Sequence, residues 1–398
     1  MRKKLINYLK LHPTVVNIFW LLARMFLRIW GIFTPIRKKT ILFASFGGRK
    51  FDDSPKAIYD EICSRSCFDD WDIIWAFVNP DEFQVNRGRK VKVDTLSFFH
   101  ALLYSRVWVS NSGMDRGIGL KRKGCLKVET WHGTPLKKIG GEENQNSLGG
   151  KKKSKPRCKP DTKTIRCAQS EYDKQIFMRI FHADEKAFLL CDLPRNDALL
   201  CYTPSTCNEI KEKLGISRDK KVILYTPTYR EYLINDNDDT YIAPPMNLKK
   251  WKEKLGEKYV LLVRAHYAVS AALNISEDAF VKDVSGYPCL NDLYAISDMM
   301  ISDYSSTFFD YSILHRPMFC FAYDLEEYGQ KRGLYLDIKK TLPCEIDKNE
   351  DEVLEHILNM DMELCIEKTK QFHKRFAPYA GKASKVVVDE MVSRLNET

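Results

Sequence analysis

The stretch KVILYTPTYR, residues 221–230, joins a short apolar run directly to a polar turn. An apolar run of this length, bounded by a turn signal, is typical of a buried β-strand. The same pattern recurs in KYVLLVRAHY, residues 258–267, and in ISDMMISDYSST, residues 296–307. Three consecutive strands that each end in groups able to bind phosphate or move a proton indicate the ligand-binding edge of an open parallel sheet.

An earlier part of the chain repeats this alternation of strands and helices. Apolar runs predict strands at residues 40–46, 71–78, 107–110 and 126–130. Helical patterns lie between these runs, so we predict an α/β protein whose sheet is mostly parallel and doubly wound. The turn Gly47-Gly48 lacks the GxGxxG spacing, and the chain has no Walker A sequence. An ordinary dinucleotide or P-loop site is therefore not supported.

Length and composition narrow the class of protein. The chain has 398 residues, 44% of them apolar and 29% charged, which favours two globular domains of ordinary size. The net charge of +10 indicates an anionic partner: a phosphate, an acidic membrane face or nucleic acid. Twelve cysteines lie at scattered positions without a CxxC pair, so we expect reduced thiols in the cytosol.

The N-terminal segment, residues 1–39, differs from the rest. It begins with a basic run and continues with an Ile-, Leu-, Phe- and Trp-rich stretch that Arg24 and Arg28 interrupt. These arginines, and the lack of a small-residue cleavage site, argue against a signal peptide, and the arginines also argue against a clean membrane span. Because they lie four apart, on one face of a helix, we predict an amphipathic helix in the interface of an anionic cytoplasmic leaflet. The alternative is a helix packed on the protein's own core.

A single histidine follows the strand at residues 126–130, within the turn WHGTPLKK, residues 131–138. A histidine of near-neutral pKa suits proton transfer, and the lysines after it suit an anionic substrate. This position makes His132 a candidate catalytic residue, and the alternative is a structural histidine in a capping turn.

Other candidate anion-binding groups lie further along the chain. Arg195 has a planar guanidinium that can hold two phosphate oxygens, although it could equally be a surface arginine. Ser305 and Ser306 begin a helical pattern, where hydroxyls, backbone N–H groups and the helix dipole favour phosphate; the alternative is an ordinary N-cap. The cationic stretch of residues 149–157 is either a solvated loop or part of an acceptor site.

Taken together, these motifs resemble those of one enzyme family. They occur in the order WHGTPLKK (131–138), PRND (194–197), TPTYR (226–230), RAH (264–266) and SDYSS (302–306), followed by Asp310. In this order they resemble the CDP-glycerol glycerophosphotransferases, which are teichoic acid primases and polymerases and related capsule enzymes. The resemblance spans roughly residues 40–340. It implies a GT-B-like fold, in which two Rossmann-like domains face each other across a cleft, and monotopic attachment to the cytoplasmic membrane.

The resemblance also assigns site residues. It implies that His132 is the catalytic base and that His266 is a second catalytic histidine beside the diphosphate. The implied substrate-binding residues are Gly133, Thr134, Pro135, Leu136, Arg195, Pro227, Thr228, Arg264, Ala265, Ser305, Ser306 and Asp310. The Gly-Thr-Pro-Leu run after His132 is more similar to the polymerase type than to the primases. No carboxylate pair suggests a metal site, so we expect neither a required divalent ion nor a cofactor.

From this we predict a membrane-association segment (1–39), an acceptor domain (40–200), a linker (201–220) and a CDP-alditol-binding domain (221–398). The predicted reaction moves glycerol phosphate or ribitol phosphate from CDP-glycerol or CDP-ribitol to a hydroxyl of a lipid-linked teichoic acid or capsular polymer, and releases CMP. The expected location is peripheral, on the cytoplasmic side of the cell membrane, with no nucleic-acid partner; the sequence leaves a homo-oligomer open. The alternatives are a GT-B nucleotide-sugar glycosyltransferase and, less favoured, a non-enzymatic basic binding protein.

Overall fold

Two parallel β-sheets, one after the other along the chain, form the framework of the protein. The computed structural model describes residues 13–120, 122–143, 164–230 and 243–397. The cationic stretch 149–157 and the basic N-terminal run therefore lie outside the described residues.

The first sheet has seven strands in the order β3-β2-β1-β4-β5-β6-β7, and every neighbouring pair is parallel. Its strands are β1 Arg37–Ala44, β2 Asp72–Phe77, β3 Arg89–Lys92, β4 Ser105–Ser110, β5 Leu126–Glu129, β6 Thr164–Ala168 and β7 Phe188–Leu190. The strand order reverses between β1 and β4, which places the usual ligand-binding crevice at the carboxyl ends of these two strands.

The second sheet has six strands in the order β10-β9-β8-β11-β12-β13, again all parallel. Its strands are β8 Lys221–Thr226, β9 Tyr259–Val263, β10 Val281–Asp283, β11 Met299–Ser302, β12 Met318–Phe321 and β13 Ile346–Asp347. Thr226 pairs with Ser302 and Tyr225 with Val263, so β8, β9 and β11 end at the same edge. This confirms the predicted α/β class and the predicted polar edge.

Helices connect the strands and cover both faces of each sheet. They are α1 Pro13–Ile32, α2 Asp53–Cys63, α3 Leu96–Tyr104, α4 Glu171–Phe181, α5 Pro204–Lys213, α6 Leu248–Leu255, α7 Tyr267–Leu273, α8 Leu290–Ile296, α9 Thr307–Ser312, α10 Leu325–Lys331, α11 Ile338–Thr341, α12 Glu350–Leu358, α13 Met362–Phe376 and α14 Ala383–Asn396. A 3₁₀ turn at Pro194–Leu200 leads from the first sheet towards the second. Ile41 and Phe43 face one hydrophobic core and Leu42 the other, as expected for parallel strands buried on both faces.

The last helix, α14, returns to the first sheet. Val387, Val388 and Met391 are fully buried in the same core as Ile41. The carboxylate of Asp197 accepts hydrogen bonds from the first N–H groups of α14, those of Ala383 and Ser384, at 2.8 and 2.7 Å. The predicted plan placed residues 383–396 with the second sheet, and the packing of these side chains corrects that assignment.

The predicted linker also differs from expectation, because it contains α5. Ile210 of α5 is buried in the hydrophobic core of the second sheet. Thr203 caps this helix by accepting a hydrogen bond from Thr206 N. The remaining domain boundaries stay predictions.

Helix α1 lies on the outer side of the first sheet. Leu27 is buried against the sheet's core, and the ring of Trp30 stacks on that of His100. Arg24 does not share an outward face with Arg28: its Nε donates to the carbonyl oxygen of Ile118 at 2.7 Å, whereas Arg28 is exposed. Large apolar side chains of α1 remain exposed, including those of Ile18, Phe19, Leu21, Leu22, Met25, Phe26, Ile29 and Ile32. None of the helices within the described ranges is both long and apolar enough to cross a membrane.

Candidate active site

His132 lies at the carboxyl end of the first sheet, just after β5. Its Nδ1 is 3.0 Å from the carbonyl oxygen of Asn111, which follows β4. Because a carbonyl oxygen can only accept, Nδ1 must carry the proton, and the lone pair is left on Nε2. The ring stacks on that of Trp131, 4.2 Å away, whose backbone has a positive φ of 59°. The turn therefore fixes both the orientation and the tautomer of the imidazole.

The surroundings of His132 also set its charge. Burial lowers the pKa of the imidazole, and the nearby positive charges of Arg195 and Lys137 lower it further. The hydrogen bond to Asn111 acts in the opposite direction but does not reverse the shift. His132 is therefore neutral at physiological pH, and Nε2 can accept a proton.

Gly133 brings the His132 turn against the second sheet. Its φ is +148°, and a Cβ atom added here would lie 2.5 Å from Oγ and 2.8 Å from Cβ of Ser306. Both features require glycine, since no side chain fits and few residues adopt this backbone conformation. The loop after β5 and the start of α9 are thus in direct contact, and the predicted residues His132, Gly133 and Ser306 come together.

The next three predicted substrate-binding residues hold the turn in place instead. The hydroxyl of Thr134 is buried and donates to Gln169 Oε1 at 2.6 Å. The carbonyl oxygen of Pro135 accepts from Tyr172 Oη at 2.7 Å. Leu136 is buried in the core of the second sheet, where its carbonyl oxygen accepts from Tyr335 N at 2.9 Å. The side chains of Thr134 and Leu136 are therefore occupied by the fold, and their role in substrate binding stays a prediction.

The guanidinium of Arg195, which was predicted to hold phosphate, is engaged by two carboxylates. Nη1 lies 2.6 Å from Asp53 Oδ2, and Nη2 lies 2.7 Å from Asp310 Oδ2. Nη1 also donates to the carbonyl oxygen of His132 at 3.1 Å. Burial alone would raise the pKa of Asp53, but the Arg195 charge and several hydrogen bonds hold it below its usual value. Arg195 and Asp310 therefore tie the two sheets together beneath the His132 turn.

A buried polar network continues from this ion pair. Asn196 Nδ2 donates to Asp310 Oδ1 at 2.9 Å and to Asp192 Oδ1 at 3.1 Å, and Gln169 Nε2 also donates to Asp192. Burial, reinforced by the charge of Asp310, raises the pKa of Asp192 to about 7. Its Oδ2 atom is buried without a hydrogen-bond partner among the described residues, so the charged carboxylate is poorly stabilised there, in line with the raised pKa.

On the second sheet, Arg264 follows β9 and presents a partly buried cation. Nη1 donates to the carbonyl oxygens of Tyr287 and Val284, at 2.6 and 3.3 Å. Within the described ranges, no carboxylate lies within ion-pairing distance of this guanidinium, and burial lowers its pKa. A partly buried cation that donates to carbonyl oxygens and has no ion-pair partner among the described residues is well suited to an anionic ligand.

The two residues after Arg264 have different surroundings. The N–H of Ala265 donates to Ser285 Oγ at 3.0 Å, so this predicted binding group is already used. The side chain of His266 is exposed, and its ring lies 4.3 Å from that of Tyr229. His266 is thus accessible to a ligand at the edge where β8 and β9 end.

The TPTYR segment (226–230) is mostly buried and is bonded to carboxylates of neighbouring loops. Pro227 and Thr228 are buried, and Thr228 N donates to the carboxylate of Asp303 at 3.0 Å. The fully buried guanidinium of Arg230 pairs with Asp303 at 2.9 Å and Asp324 at 2.6 Å. This arrangement fixes the loops after β8 and β11 relative to each other.

Ser305 and Ser306, by contrast, are only half buried at the start of α9. Ser305 Oγ accepts from Thr307 N at 3.3 Å, and Ser306 lies beside Gly133. Of the predicted residues on the second sheet, these serines, Arg264 and His266 remain the candidates for contact with substrate.

Three residues of this region escaped the sequence-based prediction. Asp53 at the start of α2 belongs to none of the motifs, and Asn111 contributes through its backbone carbonyl, which no motif marks. Tyr294 of α8 lies in an apolar helix pattern, yet its buried hydroxyl lacks a hydrogen-bond partner among the described residues. Burial raises the pKa of that hydroxyl; the charge of Asp310 acts the same way, and those of Arg195 and Arg264 oppose it. Tyr294 therefore lies between the Arg195 ion pair and Arg264.

In the described part of the chain, no group of three or more His, Cys, Asp or Glu side chains is arranged to hold a metal ion. The cysteines of the same residues are free thiols, as predicted. The expectation that no divalent ion is required stays a prediction.

Comparison with known proteins places the chain in a family. A model of the CDP-glycerol:poly(glycerophosphate) glycerophosphotransferases matches residues 25–393. A teichoic acid poly(glycerol phosphate) polymerase of Staphylococcus epidermidis is 34% identical over 366 residues, which cover 89% of this chain and 50% of that protein. A teichoic acid poly(glycerol phosphate) polymerase of Bacillus spizizenii is 32% identical over 377 residues, covering 92% of this chain and 94% of that protein.

The fold agrees with this comparison. The structure of the wall teichoic acid polymerase TagF superposes with a TM-score of 0.82 at 31% identity, covering 99% of this chain and 98% of that chain. The chain spans about half the length of the Staphylococcus epidermidis relative. Because the family model matches most of the chain and these relatives exceed 30% identity, the chain belongs to the CDP-glycerol:poly(glycerophosphate) glycerophosphotransferase family.

Proposed function

We propose that the protein transfers glycerol phosphate or ribitol phosphate from a CDP-alditol to a hydroxyl of a lipid-linked teichoic acid or capsular polymer, and releases CMP. The acceptor oxygen attacks the β-phosphorus of the donor, the bond from this phosphorus to the oxygen of the CMP phosphate breaks, and the hydroxyl proton passes to Nε2 of His132. Family membership supports the donor class. The single structural observation that carries the proposal is the neutral, oriented imidazole of His132 at the contact between the two sheets.

His132 fits the role of general base for physical reasons. Its Nδ1 is committed to Asn111, so the proton from the acceptor goes to Nε2. General base catalysis contributes roughly 10²–10⁴-fold when the base is within hydrogen-bond reach of the proton. The lowered pKa keeps the imidazole in the proton-accepting form at neutral pH.

The second sheet supplies groups for the donor's diphosphate. Phosphoryl transfer depends mainly on positioning and on stabilisation of charge. Arg264 offers a partly buried guanidinium that donates to the carbonyl oxygens of Tyr287 and Val284, and His266 and Ser305 lie at the same sheet edge. Ser306 places this edge directly beside the His132 turn. We infer a GT-B-like arrangement in which the acceptor approaches from the first sheet and the nucleotide from the second.

The exposed apolar face of α1 supports a peripheral position on the cytoplasmic side of the membrane. Helices that lie in the membrane interface combine a large apolar face with basic residues, and Arg28 is exposed on this helix. The acceptor would then reach the active site from the membrane surface.

The proposed function is tested with purified protein, CDP-glycerol or CDP-ribitol, and a lipid-linked acceptor. Nucleotide release is followed by chromatography, and the products are sized by gel electrophoresis. The proposal expects acceptor-dependent release of CMP from at least one donor, together with an acceptor lengthened by alditol phosphate. Release of a nucleoside diphosphate from a nucleotide sugar, with no CMP from either CDP-alditol, would instead identify a glycosyltransferase.

A further inference from the structure

A cavity of about 890 Å³ lies between α1 and the loops that follow β1 and β4. This volume falls within the range of about 300–1,000 Å³ that is usual for small-ligand sites. Its wall on the helix side is apolar and mostly aromatic. That wall consists of Phe19, Trp20, Ala23, Phe26, Leu27 and Trp30.

The opposite wall of the cavity borders the candidate active site. Gly47 and Ser112 line it there. Gly47 follows Phe46, whose ring lies 5.8 Å from that of His132. Ser112 follows Asn111, whose carbonyl oxygen bonds to His132 Nδ1. The cavity is therefore lined by the residues that directly follow Phe46 and Asn111, the two neighbours of the His132 ring.

Cationic groups lie on the same side of the cavity as these loops. Arg49 lines it and is exposed, and no carboxylate of the described residues forms an ion pair with it. Arg116 also lines it and is held by a bidentate pair with Asp94, both bonds 2.9 Å long. Asp94 and Asp115 also line this side, but Arg116 pairs with Asp94, and Asp115 accepts from the N–H groups of Gly117 and Leu120. An aromatic wall beside the exposed Arg49 matches a long-chain amphiphile that carries a phosphate.

The apolar wall is continuous with the outer surface of the protein. Phe19 and Phe26 line the cavity, yet they are 62% and 57% exposed. Their neighbours on α1, such as Leu22, are exposed but do not line it. A hydrocarbon chain can therefore pass from a lipid surface along α1 into the cavity without crossing a polar barrier.

We propose that this cavity binds the hydrocarbon chain and adjoining phosphate of the lipid-linked acceptor, so that its hydroxyl end is presented to His132. The inference rests on the proposed function and names how that function's acceptor is recognised. Proximity to the His132 contacts favours the acceptor over a bulk phospholipid, which would need only the outer surface of α1. A phospholipid bound merely to anchor the protein is the competing occupant.

The test fills the cavity without changing the outer surface of α1. Ala23→Trp places an indole in the cavity, and Leu22→Trp is the matched control on the neighbouring, outward-facing position. Acceptors with a long chain and with a methyl group in its place are compared by CMP release. We expect Ala23→Trp to raise KM for the long-chain acceptor at least tenfold and to leave KM for the chain-free acceptor unchanged. Leu22→Trp should change neither, and both variants should float equally with anionic phospholipid vesicles.

A binding measurement gives a readout independent of catalysis. A brominated alkyl monophosphate, used below its micelle concentration, should quench the fluorescence of Trp20 and Trp30 in a saturable way. Quenching should persist in Leu22→Trp, and titration should show at least tenfold weaker binding to Ala23→Trp. Arg49→Gln, which alters only an exposed side chain, should weaken binding of the alkyl phosphate but not of the matching brominated alcohol, and inorganic phosphate should not compete.

These measurements distinguish an acceptor site from a bulk-lipid site, and both from failure of the proposed function. The inference is overturned if Ala23→Trp binds the alkyl phosphate as wild type does, or if it loses vesicle flotation while its KM for the long-chain acceptor is unchanged; the second result would identify a bulk-lipid site. If wild-type protein releases no CMP with either acceptor, the proposed function fails. Saturable, Ala23-dependent quenching would then still show the amphiphile site.

Discussion

Replacement of Gly133 by alanine tests how the two sheets meet at the candidate active site. Gly133 has a φ of +148°, and its α-carbon faces Ser306 at the start of α9. Adding one methyl group here lowers the free energy of unfolding in two ways. The first is strain in the backbone of residue 133, and the second is a steric clash where the two halves of the protein meet.

The structure allows each cost to be estimated. The backbone region near φ +148° is almost restricted to glycine, and a side chain there costs about 1–3 kcal/mol. The new Cβ would lie 2.5 Å from Ser306 Oγ, which can rotate away, but also 2.8 Å from Ser306 Cβ, which can move only with the backbone. Overpacking of this kind costs about 1–3 kcal/mol more. We therefore expect Gly133→Ala to lower the free energy of unfolding by about 2–6 kcal/mol.

Urea denaturation followed by circular dichroism measures the loss in free energy of unfolding. Two further variants separate its backbone part from its steric part. Gly141→Ala is the matched control, because Gly141 also has a positive φ, of +90°, but a Cβ there meets nothing within 4 Å. Ser306→Gly combined with Gly133→Ala removes the steric part only. A double-mutant cycle should therefore give a coupling energy of about 1–3 kcal/mol between these two positions.

Two results would refute this reasoning. The first is a Gly133→Ala protein within about 0.5 kcal/mol of wild type, the usual range of neutral surface substitutions. The second is a coupling energy near zero, which would mean that the loop after β5 and the start of α9 are not in contact. A drop in kcat without loss of stability would also place the effect in the chemistry rather than in the packing.

Four other perturbations test individual groups. Because the pKa of His132 is lowered, the imidazole stays neutral to a lower pH than a free histidine does. When kcat/KM is measured against pH, the midpoint of its loss in acid should lie below pH 6.5, and a midpoint above pH 7 would contradict this. Arg264→Ala should weaken CDP-glycerol binding in calorimetry about 10- to 100-fold, the worth of one or two charge-assisted hydrogen bonds, and an unchanged Kd would remove Arg264 from the donor site. Arg195→Ala leaves two buried carboxylates unpaired and should lower the free energy of unfolding by about 3–5 kcal/mol, where a loss below about 1 kcal/mol would argue against the ion pairs. The pKa of Asp192 is about 7 in the folded protein, above its unfolded value, so its contribution to the free energy of unfolding is present in acid and is lost as the pH rises to 7. The free energy of unfolding should therefore fall by up to about 1.4 kcal/mol per pH unit in this range, and Asp192→Asn should reduce that dependence. The same pH dependence in both proteins would contradict the raised pKa.

The sheet architecture could be predicted because it depends on local patterns. Strands such as β8 and β9 are short apolar runs with polar residues directly after them, and both were placed within a residue or two of their bounds. Parallel pairing then brings the ends of these strands to one edge without any further information. The position of His132 at the end of β5 followed from the same reasoning.

The roles of individual polar residues were less predictable, because each depends on a distant partner. Arg195 carries the same local signal whether it binds phosphate or Asp53, and Asp53 is 142 residues away in sequence. The hydroxyl of Thr134 is likewise taken by Gln169, which lies 35 residues further along the chain, directly after β6. A motif therefore identifies the neighbourhood of a site, but the free hydrogen-bonding groups within it are decided by tertiary pairing.

At both ends of the chain, too, the packing partner of a helix could not be predicted from local sequence. The return of helix α14 to the first sheet depends on Val387 and Met391 matching a surface that includes Ile41, more than 300 residues earlier. Arg24 was expected to face outwards, yet the carbonyl oxygen of Ile118 holds it against the protein. Helical periodicity gives the spacing of these side chains but not the identity of what they pack on.

The most direct test of the central claim compares wild type with His132→Ala in a single turnover. CMP release from CDP-glycerol is measured in the presence of the acceptor, and CDP-glycerol binding to both proteins is measured by calorimetry. Because His132 is assigned to the proton transfer and not to the donor, release should slow by roughly 10²–10⁴-fold while Kd stays within about twofold. Near wild-type release of CMP by His132→Ala would contradict the account.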